Sequence, residues 1–429
     1  MSRKIVKDLN ELLEAGILNE EIAEKIQAYY DSKKTDSGGR LTLIFSVLGA
    51  TLVGLGIILI LAHNWDNLSK PIKTFFAFLP MIIGQLACGY SLFKKKGNRS
   101  WAEGSAVFLF FAVGAAISLI SQIYHIEGDL GSFLLTWSLL GLPLVYLMSS
   151  SMVSLLYIGG ITWYAVERGY GYRSSMPYLY IPLILAVVPH YFGLWKTNQK
   201  RNFFNFHSWF LVASIAIVLG TISDDIPELM WIAYTSLFSS LFLLGKSKFL
   251  DSKGLFANPF RLLGALGLII IFIISSFNLF WEEAFDHIFE KSGLLKSSEF
   301  WISILFTGLA TYLFIQKREV QSLLKINPLS IAFFLYPVLF FIGINNSIIA
   351  AVLGNVIALT IGLYYINFGT DNDHLGYLNL GLLTITALII SRFFDIDISF
   401  VLRGLLFIGL GVMFFIANFR LVKRRNQEN

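Results

Sequence analysis

The chain has 429 residues, of which only 14% are charged while 55% are hydrophobic. A soluble domain carries about 25% charged residues, and the long apolar runs of this chain would expose more apolar surface than a soluble fold tolerates. The composition therefore excludes an ordinary soluble protein and indicates a membrane protein whose first partner is the lipid bilayer. The net charge of +5 favours attraction to anionic lipid, and nucleic acid is not an expected partner.

The first forty residues are charged and only periodically apolar, unlike the rest. Ile5 and Leu9 fall at helical spacing, Gly16 is a helix stop, and Asn19 is an N-cap for a second apolar stripe. We predict that residues 1–40 form a cytoplasmic amphipathic helical pair. Such a pair is too small to be stable alone. It therefore packs on the membrane domain or on a second copy of the chain, or it docks a partner protein.

From Leu41 onwards, apolar runs follow one another with short polar connections. Each crossing needs about twenty residues, or fewer where the bilayer thins. The predicted fold is all-α: a polytopic transmembrane domain over 41–419, with about fourteen (twelve to fourteen) helices, and a basic tail over 420–429. The predicted spans are 41–62, 73–93, 104–121, 132–147, 150–166, 178–195, 207–222, 229–245, 262–280, 300–315, 329–344, 347–366, 376–394 and 398–419. No cleavable signal peptide is visible, so we expect insertion through the first span.

Lys and Arg gather in alternate connections between the predicted spans. These cationic segments are Lys94–Lys96 with Arg99, Lys196 with Lys200 and Arg201, Lys246 with Lys248, Lys253 and Arg261, Lys317 with Arg318 and Lys325, and Lys423–Arg425. Because cytoplasmic loops carry the excess of Lys and Arg, the pattern predicts that both termini are cytoplasmic.

Two groups of polar residues follow predicted spans on the outer side. The first is His63, Asn64, Trp65 and Asp66, and the second is Gln122, Tyr124, His125, Glu127 and Asp129. They are either an interfacial belt or the walls of a shared ligand pocket, and a proton relay or a metal site is a further alternative. Since no fixed ligand spacing is present, we predict neither a metal site nor a cofactor.

A third polar group surrounds the turn between the last two predicted spans. It consists of Arg392, Asp395, Asp397 and Arg403. Arg–carboxylate pairing would neutralise charges that hydrocarbon cannot solvate, so the group is predicted to be a structural ion-pair cluster. The alternative is an arginine that faces a cavity and receives an anionic substrate.

Isolated polar residues also lie within the predicted spans. Gln85, Asn278 and Asn355 are amides, for which hydrogen bonding between helices is the expected role. The sole cysteine, Cys88, cannot form an internal disulfide. The sequence has no HExxH, GxSxG or CxxC motif, so we predict no catalytic residue and do not expect an enzyme.

The arrangement resembles a bacterial family of multi-span membrane proteins of unknown function. The residues that carry the resemblance are Ala15–Leu18, the glycines Gly49, Gly54 and Gly56 followed by Asn64 and Trp65, Ser121–Tyr124 with Gly128 and Asp129, and Arg392–Asp395 with Arg403 and Gly404. The resemblance implies a bacterial inner membrane and, in some members, a neighbouring membrane protein as partner. It implies no activity.

Two functional hypotheses from different classes follow. A transporter or channel for a small polar or ionic solute predicts a polar cavity that reaches the middle of the membrane and is lined by Gln85, Asn278 or the outer His and Asp residues. A non-transporting scaffold or envelope-stress factor, which docks a partner through residues 1–40, predicts an interior sealed by apolar side chains. A lipid-modifying enzyme is a third reading, and it would need a carboxylate or histidine beside a lateral opening to the bilayer.

Overall fold

The structure, a computed structural model, is helical wherever it forms regular structure. It describes residues 12–13, 15–16, 18–19, 21–26, 44–53, 55–56, 68–170, 175–198, 202–247, 258–285, 293–316, 326–395, 401, 404–405, 408–409, 411–412 and 415. Over these residues no strand occurs. In the amino-terminal segment, residues 12–13 are helical, Gly16 has a φ of +67°, and helix follows Asn19 at residues 21–26. Most of the remaining residues of the predicted pair lie outside the described residues.

The α-helices are numbered here in chain order. They are α1 (Ile44–Val53), α2 (Lys70–Lys94), α3 (Arg99–Tyr124), α4 (Leu130–Leu147), α5 (Ser151–Tyr170), α6 (Tyr180–Leu185), α7 (Val188–Asn198), α8 (Asn202–Leu219), α9 (Met230–Gly245), α10 (Pro259–Ile274), α11 (Asn278–Phe285), α12 (Ser298–Gln316), α13 (Ala332–Asn345), α14 (Ser347–Asp371) and α15 (Leu375–Asp395). Short 3₁₀ turns follow α8 and precede α9, α12 and α13.

Within the described ranges, nine helical segments are long and apolar enough to cross a membrane. They contain α2, α3, α4, α8, α9, α12, α13, α14 and α15. The prediction of an all-helical, multi-span membrane protein is confirmed at this level. The count of fourteen and the orientation of the termini stay predictions, and part of the first predicted span and most of the last one lie outside the described residues.

Two predicted spans are interrupted. The span predicted over 178–195 consists of α6 and α7, which are separated at Ala186 and Val187. Pro189 explains this break, because proline has no N–H to donate to the carbonyl four residues earlier and its ring clashes with that carbonyl. The span predicted over 262–280 ends as α10 at Ile274, and α11 begins only at Asn278.

The chain divides into two compact units, described separately here. The first contains residues 1–167 and 179–193, and the second contains residues 168–178 and 194–429. In the first unit, α2 packs along α3, and α3 also contacts α4. The side chains of Ala77, Leu119 and Ile123 form a small core between α2 and α3.

In the second unit, the most extensive packing joins α14 to α15 and α9 to α10 and α12. A Cβ atom on Gly381 would lie 2.6 Å from the carbonyl oxygen of Gly362, so small residues allow α14 and α15 to approach closely. Large buried aromatic side chains fill the centre of this unit, among them Phe272, Tyr336 and Tyr365.

Two hydrogen bonds show how α10 and α15 are aligned. Arg261 donates to the hydroxyl of Tyr377 at 2.7 Å, and Arg392 donates to the hydroxyl of Ser276 at 2.8 Å. Both pairs are 116 residues apart in the chain. An equal offset at both ends means that α10 and α15 run parallel, which brings the end of α15 to the place where α10 stops.

Candidate functional site

The candidate site is the interruption between α10 and α11, at Ser275–Phe277. The Ser275 hydroxyl donates to the carbonyl of Ile271 at 2.8 Å, and the Ser276 hydroxyl donates to that of Ile273 at 2.5 Å. Serine side chains that bond to the backbone in this way compete with the helix and bend it. The backbone N–H of Ser276 then bonds only three residues back, to Ile273.

The interruption leaves backbone carbonyls that need new donors, because hydrocarbon offers no water. The indole Nε1 of Trp281 donates to the carbonyl of Ser275 at 2.8 Å. The carbonyl of Ser276 accepts from Nδ2 of Asn355 at 2.9 Å and from Nη1 of Arg392 at 3.1 Å. Side chains from α11, α14 and α15 therefore converge on two consecutive carbonyls.

Arg392 makes further contacts at the break. Beyond the Ser276 carbonyl, it donates to the Ser276 hydroxyl, and its guanidinium carbon lies 4.4 Å from the ring centroid of Phe277. A guanidinium over an aromatic face is stabilised by the ring quadrupole. Arg392 is half-buried whereas Ser276 is fully buried. The break therefore holds a permanent positive charge against its own backbone.

Glycines make room for this arrangement. A Cβ atom on Gly354 would lie 2.5 Å from the carbonyl oxygen of Ser275, and one on Gly343 would lie within 2.1 Å of the Trp281 ring. Contacts below 3 Å require the backbone or the ring to move. The backbone of the break and the ring of Trp281 thus occupy the space that larger residues at these two positions would fill.

Chemically, the charged group at the break is the guanidinium of Arg392. A charge in hydrocarbon is costly, and here carbonyl, hydroxyl and aromatic contacts offset that cost for Arg392. The planar guanidinium is also the group that best matches carboxylate and phosphate oxygens. Release of Arg392 from Ser276 would turn this buried contact into an anion-binding group.

The predicted outer group at residues 122–129 is exposed and has local structural contacts. Asp129 caps α4 by accepting from the backbone N–H of Ser132 at 2.6 Å. His125 ends α3 with a φ of +53°, and Tyr124 shares a hydrogen bond of 3.1 Å with the hydroxyl of Thr74. Gln122 and Glu127 are exposed too.

The structure does not describe the first outer group. His63, Asn64, Trp65 and Asp66 lie outside the described residues, so the shared pocket that would join them to residues 122–129 stays a prediction. Over the part of the chain that the structure describes, no group of three or more His, Cys, Asp and Glu side chains has a geometry that would hold a metal ion.

Of the predicted ion-pair cluster, the structure describes the side chain of Arg392 alone. Asp395 ends α15, but its side chain is not among the described parts of the chain, and Asp397 and Arg403 lie outside the described residues. The contacts given above take Arg392 to Ser276 and Phe277, which the sequence analysis did not anticipate. Of the amides, Asn355 bonds between helices, Asn278 donates to Glu282 at 2.6 Å within α11, and Gln85 is exposed on α2.

Sequence reasoning also missed a buried carboxylate in the first unit. Glu103, only 1% exposed, accepts from the hydroxyl of Ser150 and from the backbone N–H groups of Ser151 and Met152, each at 3.0 Å. Arg99 lies 3.8 Å away as an ion-pair partner. The carboxylate, which lies one turn inside α3, therefore caps the start of α5, where the helix dipole favours a negative charge.

A second buried carboxylate has the same role in the second unit. Glu299, fully buried in the first turn of α12, accepts from the backbone N–H groups of Asp224 at 2.5 Å and Ile226 at 3.2 Å. The only sequence signal for either residue is a Glu just inside the start of an apolar run. Both residues satisfy backbone donors that hydrocarbon would leave without partners, so we assign them structural roles.

A comparison with known protein families finds a match for part of the chain. Residues 10–154, about a third of the chain, match the profile of a family described as "Predicted membrane protein (DUF2157)". The matched range includes the exposed group at residues 122–129 and ends before the break at Ser275–Phe277. No curated protein and no solved structure matches the chain significantly.

Proposed function

We propose that this chain is a transporter, or a channel, for a small anionic or polar solute, and that the interrupted helix α10–α11 is its solute site. The observation that carries the proposal is the convergence of Arg392 and Asn355 on the carbonyl of Ser276. Transporters use discontinuous helices in this way, because a helix break is the place where backbone polar groups become available at membrane depth. The positive charge of Arg392 favours an anion.

We further propose that the chain has about fourteen spans, with both termini in the cytoplasm of a bacterium and the membrane domain in its inner membrane. In the first unit, Lys94–Lys96 precede α3, whereas Glu127 and Asp129 follow it. In the second unit, Asp224 and Asp225 precede α9, whereas Lys246 follows it. The sign of the charge thus alternates between opposite ends of single helices, which supports the predicted orientation.

The second candidate function is a non-transporting scaffold, in which residues 1–40 dock a partner or a second copy of the chain. The full burial of Ser275 and Ser276 favours this candidate, because a scaffold needs a sealed interior. The two candidates differ in one respect: a transporter must expose Ser276 to water in a second conformation, and a scaffold never does.

Cysteine accessibility separates the two candidates. Cys88 is the sole cysteine, so Cys88→Ala supplies a cysteine-free background. In this background we would introduce Ser276→Cys, with Val187→Cys as the matched control, since Val187 is also fully buried beside an interrupted helix. A charged, membrane-impermeant thiol reagent is then applied to inverted vesicles and to intact cells.

The transporter proposal expects the thiol at position 276 to be modified from at least one side, at least about tenfold faster than that at position 187, because only the break at Ser275–Phe277 opens to water. Equal protection of both thiols would favour the scaffold. The orientation has its own test: Lys95→Cys in the same background should react only in inverted vesicles, and its reaction in intact cells would reverse the proposed topology.

A further inference from the structure

The first unit contains a groove of about 450 Å³ between α1, α2 and α3. Its lining is mostly apolar and includes Phe45, Gly49, Ala87 and Phe108, together with the hydroxyl residues Ser46 and Ser105. A cavity of this size falls within the ordinary range for small-ligand sites. Since α2 and α3 are candidate membrane spans, the groove opens on helix faces that a bilayer would cover.

One end of the groove is polar. Asn98, Ser100 and Trp101 line this end. Asn98 is the N-cap of α3, and its side chain accepts from the backbone N–H of Trp101 at 3.2 Å. Trp101 is half-exposed and lies edge-on to Tyr90, with ring centroids 5.3 Å apart. An aromatic pair of this kind, beside a helix start, is typical of the level of lipid headgroups.

The loop that leads into this polar end carries concentrated positive charge. Lys94, Lys95 and Lys96 are all exposed and lie within four residues of Asn98. No carboxylate among the described residues forms an ion pair with any of the three ammonium groups. Basic clusters at the end of a membrane helix attract anionic headgroups. The groove therefore combines a mostly apolar lining with a cationic segment beside its polar end.

We propose that this groove binds one anionic phospholipid. The polarity of a phospholipid changes in the same order: a phosphodiester that Lys94–Lys96 would hold, a glycerol backbone that matches Asn98 and Ser100, and an acyl chain that fits between Phe45 and Phe108. A small soluble anion would leave the apolar part of the groove unfilled. The inference does not rest on transport, because a scaffold can carry the same lipid.

The structure offers a variant that fills the groove and a matched control. Gly49 lines the groove, and a Cβ atom there would meet nothing within 4 Å. Gly49→Leu therefore places a side chain in the lipid's volume without a backbone clash. Gly89 on α2 is equally open but does not line the groove, so Gly89→Leu adds the same side chain elsewhere.

The measurement is native mass spectrometry of the full-length protein in a neutral detergent, with equal amounts of phosphatidylglycerol and phosphatidylcholine. We expect one phosphatidylglycerol to be retained in preference to phosphatidylcholine by wild type and by Gly89→Leu. Gly49→Leu should reduce that retention at least about tenfold, as steric exclusion does. Exchange of Lys94, Lys95 and Lys96 for Gln should reduce it by a similar factor and remove the headgroup preference.

The lysine variant changes only exposed side chains, so it remains a test even if Gly49→Leu fails to fold. Equal binding of the two lipids by wild type would overturn the proposal, as would unchanged retention in Gly49→Leu. Glycerol 3-phosphate is the soluble control. If it displaces phosphatidylglycerol at equal concentration, the site recognises a free phosphate group, and the lipid assignment is wrong.

Discussion

Each unit of the chain contains an interrupted helix, and the two interruptions are satisfied by different chemistry. Between α6 and α7, the carbonyl of Leu183 accepts from the Tyr157 hydroxyl at 3.1 Å, and that of Ala186 accepts from the Tyr146 hydroxyl. Between α10 and α11, the donors are Trp281, Asn355 and Arg392. The first break thus uses neutral phenols, and the second uses an amide, an indole and a cation.

The comparison separates what a break requires from what it does not. In lipid, every freed carbonyl needs a donor, and the tyrosines of the first unit show that neutral side chains suffice. The carbonyls of the second break therefore do not need a charged donor such as a guanidinium. The charge also costs free energy, because it lies near hydrocarbon. A costly charge at a place where a neutral donor would satisfy the backbone marks a functional site, which is why we assign the site to the second break.

The largest expected effect comes from Arg392→Met, which removes the cation and both of its hydrogen bonds to Ser276. Hydrogen bonds from charged donors are worth about 1.5–3 kcal/mol each, so we expect the free energy of unfolding to fall by about 3 kcal/mol. Arg392→Lys should recover less than half of this loss, because a single ammonium cannot reproduce the two hydrogen bonds that the planar guanidinium donates to Ser276. Denaturant titration in detergent micelles measures both. Wild-type stability in Arg392→Met would show that the contacts to Ser276 contribute nothing.

Gly354→Ala is expected to have the second-largest effect. Its Cβ atom would lie 2.5 Å from the carbonyl oxygen of Ser275, and overpacking of this kind costs about 1–3 kcal/mol. Gly193→Ala in α7 is the matched control, because its Cβ atom would meet nothing within 4 Å. The same titration should therefore show a loss for Gly354→Ala and no loss for Gly193→Ala. Equal stability of the two variants would mean that the second break is not tightly packed.

Tyr157→Phe should have the smallest effect of the three. It removes one neutral hydrogen bond to Leu183 and keeps the buried ring, so the expected loss of unfolding free energy is about 1 kcal/mol. The informative quantity is the difference between this loss and the loss expected for Arg392→Met. A larger loss for Tyr157→Phe than for Arg392→Met would erase the distinction between the two breaks.

The uninterrupted membrane helices are predictable because a helix that crosses a bilayer needs a run of about twenty apolar residues, which is visible in the sequence. The spans predicted over 73–93 and 347–366 lie within α2 and α14, each extended by several residues at one or both ends. The break at Ala186–Val187 also had a signal, Pro189, which the span assignment overlooked. The break at Ser275–Phe277 had only a pair of serines in an otherwise apolar run, and serines are common within membrane helices.

The candidate site was predictable residue by residue but not as an assembly. Arg392 and Asn355 stand out in the sequence because polar groups in apolar runs need partners. Their common partner, the carbonyl of Ser276, becomes visible only once α10 and α15 lie parallel and Gly354 admits the backbone of the break. Glu103 and Glu299 show the same limit, since no local pattern tells which distant backbone N–H groups a carboxylate will reach.

Anion-dependent thermal stability of the purified protein tests the central claim most directly. Chloride, nitrate, phosphate, sulfate and succinate would be compared at constant ionic strength for wild type, Arg392→Met and Tyr157→Phe. We predict that at least one anion raises the melting temperature of wild type and of Tyr157→Phe but not that of Arg392→Met, since a ligand stabilises only the state that binds it. The same response in Arg392→Met, or no response in wild type, would contradict an anion site at the interrupted helix.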